Sequence, residues 1–241
     1  MADLLVIVPT RGRPGSVAPI VEAWNTTSAW VDAQLAFVVD QDDPTLDQCK
    51  AEFAAVDLPP REDRGPARMA VFDSWRPLAP KLNAAARLWR SDHFALGFAG
   101  DDHLPRTPGW TTAMLAALRE MGTGVVYGDD LLQRERLCTS WAMTSDIVRA
   151  LGRMVPAPVE HMYCDNSVMA LGRTAGCLRY LPEVVIEHMH PLAGKAEWDS
   201  GYVRVNRAEQ FAQDEAAYSH WLTNGLAADV KAVEALRSVR T

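Results

Sequence analysis

A chain of 241 residues that is 48% hydrophobic can bury a sizeable core and is not a disordered polymer. Its 31 acidic against 24 basic residues leave a formal charge of −7, which argues against a protein that coats nucleic acid or an anionic membrane by net charge; nucleic acid as a substrate stays open. No run approaches the roughly 20 apolar residues that span a bilayer, the first residues lack the basic flank and long apolar region of a leader, and Cys49, Cys138, Cys164 and Cys177 are dispersed without a CxxC pair. The expectation is a cytosolic protein with no membrane partner, whose thiols are reduced and neither zinc-bound nor bridged.

The first element in the chain is the continuous apolar run 4–8, the mark of a strand buried on both faces, interrupted by Pro9, Thr10, Arg11, Gly12, Arg13 and Pro14. Ser16 is placed to cap a helix running toward Trp24. A second strand over 34–40 ends in Asp40, Gln41, Asp42 and Asp43, and a helix follows over 45–55. The charged, proline-rich segment 59–66 reads as a surface loop, with a short strand over 69–72 behind it. A helix over 82–89 leads into a strand that starts near Phe94 and empties into Gly100, Asp101, Asp102 and His103; a helix over 111–121 leaves it. The strand 124–127 again ends in Gly128, Asp129 and Asp130. Strands alternating with helices imply an α/β fold around a largely parallel sheet.

In open α/β sheets, ligands gather beyond the carboxyl ends of the strands. Here those ends carry the Thr10–Arg13 loop, Asp40 with Asp42 and Asp43, and the Asp101–His103 cluster. Clustered carboxylates suit Mg²⁺ or Mn²⁺, which takes one or two of them and shares its other positions with substrate phosphates. An acidic turn is the alternative, and for Asp129 and Asp130 it is the preferred reading. Farther on, 184–190 is strand-like and sets His188 and His190 two residues apart, so that both rings project from one face, where one of them can join a metal already held by carboxylates.

Asp165 lies in the segment 160–166 that opens a short helix, as an N-cap or as a general base for an acceptor hydroxyl. Residues 191–202 read as a surface loop or as a flap over a donor, with Lys195 reaching phosphate and Trp198 or Tyr202 stacking on a sugar or base. An amphipathic helix over 207–222 follows, suited to packing or to a dimer contact. Trp75, Trp110 and Trp141 adjoin strand ends or acidic motifs and offer aromatic platforms, with core packing as the default.

The order of these motifs resembles that of family-2-like glycosyltransferases of the GT-A fold. The likeness rests on residues 6–14, on Val39 to Pro44, on Leu82 and Asn83 with the alanine-rich helix, on Gly100 to His103, on Tyr163 to Asn166 and on Glu187 to Pro191, and it covers residues 4–191. It implies a Rossmann-like, mostly parallel sheet flanked by helices as a catalytic domain over 1–191; the loop and helix read over 192–241 are expected to pack on that domain, in a monomer or homodimer. It further implies a nucleotide diphosphate sugar donor, a UDP-sugar by preference, with Mn²⁺ or Mg²⁺. By motif position, Pro9, Thr10, Arg11 and Arg13, with Asp40 or Asp42, would hold the nucleoside, and Asp101 and Asp102 would engage ribose and the diphosphate-bound metal. His188 or His190 would complete the metal site, and Asp165 stands where inverting members keep their base.

Two departures from the family pattern bear on those roles. Ala99 occupies the place where a first aspartate often stands, which leaves the ligand open among Asp101, Asp102 and His103, and Asp165 is followed by Asn166 where an acidic pair is commoner. The stretch from Glu187 to Lys195 is similar to small phage-encoded transferases, some of which decorate hydroxymethylated pyrimidines, so modified DNA is one acceptor to consider. The alternatives are a nucleotidyltransferase, for which the Thr10–Arg13 loop lacks the usual lysine, and a non-catalytic nucleotide-sugar-binding module.

Overall fold

The apolar runs read from the sequence become a central parallel unit in a computed structural model that describes residues 3–27, 29–30, 32–59, 66–73 and 76–238. β1 (Leu4–Pro9) pairs in parallel with β2 (Ala33–Asp40), and β3 (Ala67–Phe72) extends the sheet beyond β2. On its other side β1 pairs with β4 (Ala95–Phe98). β2 and β4 are buried along their whole length, which explains why they read as unbroken hydrophobic runs.

Beyond β4 the sheet changes character. With β5 (His103–Pro105), β6 (Val125–Asp129), β7 (Trp141–Thr144) and β8 (Leu178–His188), the order is β3-β2-β1-β4-β7-β6-β8-β5. β7 runs antiparallel to both β4 and β6, and β5 antiparallel to β8, so the sheet is mixed, with four of the seven pairings among the described residues parallel. The reason is local: the connection from β6 to β7 holds one 3₁₀ turn (Arg134–Arg136) and no crossover helix, and a strand returned by so short a link lies antiparallel. The β6–β8 ladder slips between Gly128 and Asp129, and a Cβ at Gly128 would collide with the Val184 carbonyl oxygen. That irregularity turns the end of β8 toward β5, which sets His188 opposite His103.

Helices cover both faces. α1 (Val17–Thr26), α2 (Leu46–Ala55) and α4 (Trp110–Met121) lie in chain order around α3 (Leu78–Trp89), and α5 (Ser145–Leu151) and α6 (Cys164–Thr174) follow. Ile20, Trp24, Met114 and Leu118 build one core layer; Leu82, Ala85, Ile147 and Val168 build the other. Ser16 holds the cap position of α1, but its side chain makes no capping bond; Glu52 of α2 accepts from the backbone N–H of Gly15 and Ala18, both at 2.8 Å.

The C-terminal part comprises α7 (Ser200–Val205), α8 (Ala208–Asn224) and α9 (Leu226–Ser238), and α9 packs on α5 and α6. Trp221 enters the core, and its indole N–H donates to Asp229, whose carboxylate also receives the Arg153 guanidinium at 2.7 Å. Trp110 and Trp141 are core residues as well, so neither is a sugar platform, and Trp75 lies outside the described residues. All four cysteines are buried and unbridged. No helix among the described residues is long and apolar enough to cross a membrane.

Candidate active site

The C-terminal ends of β1 and β4, the end of β8 and the start of α6 open on one cavity of about 920 Å³. On the β1 side, Thr10 donates to Asp101 Oδ2 at 2.7 Å and Arg13 Nη1 donates to Asp101 Oδ1 at 2.6 Å. Burial pushes the Asp101 carboxyl up while Arg13 pulls it back. Both of its oxygens are therefore committed within the protein.

Asp102 faces the other way. Its Oδ1 lies 2.9 Å from His103 Nδ1, and its Oδ2 lies 3.2 Å from His188 Nε2 and accepts the Tyr202 hydroxyl at 2.6 Å. Burial alone would raise this carboxyl, but hydrogen bonds from His103 and His188 outweigh it and hold it well below the usual carboxylate range. The His103 and His188 rings stack with centroids 4.1 Å apart, and one donor atom from each of Asp102, His103 and His188 falls within 4.8 Å of the others. Against burial, the flanking carboxylates of Asp102 and Asp130 push the His188 imidazole up to about 9.

Two nitrogens of this cluster, His103 Nε2 and His188 Nδ1, are buried without a hydrogen-bond partner. Orphaned polar atoms of that kind are uncommon in folded interiors. One carboxylate and two imidazoles fit a divalent cation, whose binding would displace the proton that His188 otherwise holds. His190 adjoins the cluster, its ring centroid 4.9 Å from that of His188, but its Nδ1 accepts from the Leu192 N–H and so caps the following 3₁₀ turn. Asp130 is the turn organiser expected from the sequence, accepting the N–H groups of Leu132, Gln133 and Arg134 on one oxygen; its other oxygen stands 3.8 Å behind His188 Nδ1.

Asp165 enters the same cavity from the first turn of α6. The cap position belongs to Tyr163, not to Asp165. Burial pushes the Asp165 carboxyl up to about 7, with His188 pulling the other way. A carboxylate poised near neutrality in a cleft has the profile of a general base.

At the opposite wall, Asp40 is fully buried, and its Oδ2 accepts from Lys81 Nζ at 2.7 Å and from Arg11 at 3.2 Å. Arg11 and Lys81 line the cavity above it, while the exposed Asp42 pairs with Arg11 at 2.9 Å. Pro9 also lines the cavity. Lys195 stands apart: its Nζ lies 2.6 Å from Glu187, and no lining atom of the cavity is its own. Trp198 is half exposed, whereas Tyr202 is buried against the cluster beneath the Arg13 guanidinium, whose carbon sits 4.0 Å from the ring centroid.

Lys81 is the site residue that sequence reasoning passed over, yet a signal existed. It sits four positions before Ala85, on the apolar face of α3, and a lysine in that phase needs a buried partner.

A mixed, helix-flanked sheet of this order, with a metal-suited cluster at its strand ends, defines the GT-A fold of nucleotide-diphospho-sugar transferases. The mannosyltransferase from Pyrobaculum calidifontis in complex with GDP-Man and Mn²⁺ matches 97% of this chain and 73% of its own at a TM-score of 0.65 and 15% identity. Glucosyl-3-phosphoglycerate synthase from Mycobacterium tuberculosis, in complex with Mn²⁺, UDP and phosphoglyceric acid, matches 90% of this chain and 78% of its own at a TM-score of 0.56 and 11% identity. TarS 1-349 from S. aureus matches 99% and 90% at a TM-score of 0.57 and 10% identity. No protein-family model and no curated protein matches the sequence.

Proposed function

We propose that this protein is a metal-dependent glycosyltransferase that moves a sugar from a nucleotide diphosphate sugar to an acceptor hydroxyl with inversion. The observation that carries this is the presence, in one cavity, of the Asp102–His103–His188 cluster and of Asp165, a buried carboxyl pushed up to about 7. The solved neighbours with GDP-Man and Mn²⁺, or with Mn²⁺ and UDP, support the donor class. Residues 192–241 belong to this reading as an extension of one catalytic domain.

Asp102, His103 and His188 would hold the cation, which when bound neutralises charge growing on a diphosphate leaving group. Arg11 and Lys81 supply donors along the nucleotide wall, Thr10 and Arg13 fix Asp101, and Arg13 also holds the segment at Tyr202 against the cluster. Asp165 takes the proton of the acceptor hydroxyl, and a single displacement by that oxygen inverts the anomeric carbon. Beyond Asp165 the cavity lining mixes Glu160 and Glu209 with Arg76 and Arg207 and the amides of Asn166 and Gln213, and the acceptor is a hydroxyl compound yet to be named.

A thermal-shift series tests the proposal: UDP-, GDP-, ADP-, CMP- and dTDP-sugars, each with Mn²⁺, Mg²⁺ or EDTA, since a ligand of the folded state raises its stability by mass action. A rise with one nucleotide class that EDTA erases names the donor. Flat melting curves throughout would remove the donor site and with it the proposal.

A further inference from the structure

α8 buries one carboxylate, Asp214, which is 1% exposed. Its oxygens accept three successive backbone N–H groups of the segment before α6: Glu160 at 2.7 Å on Oδ1, His161 at 3.0 Å and Met162 at 2.8 Å on Oδ2. Gln210, one turn earlier on the helix, donates to Oδ2 at 2.9 Å. Burying a charge is expensive unless hydrogen bonds satisfy it, and charge-assisted bonds are the strong ones. The contact therefore holds this segment far more firmly than apolar packing of a loop would.

The same helix grips the chain on the far side of the turn. Tyr218, one turn after Asp214, stacks on Tyr163 with centroids 5.1 Å apart and an interplanar angle of 19°, and its hydroxyl lies 3.5 Å from the Asn166 carbonyl oxygen. Between the two grips, Tyr163 is held at φ 64°, left-handed backbone that a bulky residue adopts only when its surroundings impose it. Asp165 follows two residues later. The Glu160 carbonyl meanwhile accepts from the N–H of Ala79, at the start of the helix that carries Lys81, so the segment is anchored to the opposite cavity wall as well.

We propose that Asp214 is a positioning residue for Asp165, acting through the backbone of 160–162 to aim the first turn of α6 into the cavity. The inference rests on the reading of Asp165 as the base. It assigns to the C-terminal helices a part in the chemistry, beyond covering the core.

The test is Asp214→Asn, which keeps the volume but turns an NH₂ group toward N–H donors. Sugar release from the nucleotide-sugar donor into water, with Mn²⁺ present, is expected to lose about 100-fold in kcat, the scale of a misplacement near 1 Å. The donor KM and the Kd of the Mn²⁺–nucleotide complex are expected to stay within about twofold, since the Asp102 cluster is untouched. Added to Asp165→Asn, the same change is expected to cost nothing further, a non-additivity that a merely structural role does not produce.

Hydrogen exchange should show faster exchange at the amides of 160–162 while the core strands stay protected. If Asp214→Asn does not fold, Tyr218→Leu, which removes the stack on Tyr163 and the hydroxyl contact to Asn166 but leaves the Asp214 bonds in place, replaces it, with kcat expected to fall about tenfold at unchanged KM. An unchanged kcat, or a loss shared equally between kcat and donor binding, overturns the positioning role alone. Wild-type protein that neither binds nor hydrolyses any donor overturns the glycosyltransferase reading and this inference with it.

Discussion

Tyr202 and Asp102, 100 residues apart in sequence, meet through a 2.6 Å hydrogen bond from the phenol to Oδ2. The same oxygen lies 3.2 Å from His188, and Arg13 covers the tyrosine ring while pairing with Asp101 and Asp199. α7 is thus docked on the acidic motif through the very groups a cation would draw on. Tyr202→Phe is expected to tighten binding of Mn²⁺ in the absence of nucleotide by about tenfold, because a hydrogen bond to a charged group is worth roughly 1.5–3 kcal/mol. Titration followed by the electron paramagnetic resonance of free Mn²⁺ reads this directly; unchanged or weaker affinity would show that the phenol does not compete for that oxygen.

Asp102 and Asp165 divide binding from chemistry. Asp102→Ala removes the only carboxylate of the cluster and is expected to abolish the Mn²⁺-dependent part of donor binding in calorimetry. Asp165→Asn keeps the donor site and is expected to lose about 10²- to 10⁴-fold in transfer, the range of a general base. Equal behaviour of the two variants in both assays would mean that these residues do not have separate tasks.

The Asp165 carboxyl gives a pH dependence with a definite sign. Burial raises it from the ordinary 3.8 to about 7, so the folded chain binds this proton more tightly than the unfolded chain. Its contribution to stability is complete below about pH 4 and is lost as pH rises through about 7. Asp165→Asn is therefore expected to stabilise the protein at pH 8, by an amount on the order of a few kcal/mol, and to change little at pH 4. Activity should run oppositely, falling about tenfold per unit below pH 7 as the base is protonated. An activity profile whose acid limb sits near pH 4 would remove Asp165 from the role.

The strands that form the site were legible because each is an apolar run that stops at polar or turn residues: β1 at Thr10, Arg11 and Gly12, β2 at Asp40 and Asp42, and β4 and β6 at glycine followed by aspartate. β7 was not, since four residues carry no periodicity and Trp141–Thr144 becomes a strand only by insertion between β4 and β6. Lys195, read as part of a flap reaching phosphate, has a partner that the loop sequence does not announce. Side chains alternate along a strand, so Glu187 points away from the cavity that His188 enters, and Lys195, with Arg106, goes to Glu187. The convergence of Asp102 with His188 was readable from strand ends, whereas the grip of Asp214 on 160–162 depends on where α8 docks, which no local pattern encodes.

Lys81 and Asp40 provide the last test, on stability. Lys81 is 3% exposed, and burial lowers its ammonium despite the 2.7 Å contact to a carboxylate that is itself wholly buried and has one oxygen, Oδ1, without a partner. Removing one member of such a pair strands the other, at about 3–5 kcal/mol, whereas replacing both by apolar groups of similar size is often close to neutral. Lys81→Met alone leaves Asp40 with Arg11 as its remaining partner at 3.2 Å and is therefore expected to lower stability by less than that amount in urea unfolding, and Lys81→Met with Asp40→Leu to recover most of it. Arg11, still 18% exposed at its side chain, then turns to the exposed Asp42. A double variant as unstable as the single one would show that the ion pair is held for its geometry at the nucleotide wall and not for charge balance within the core.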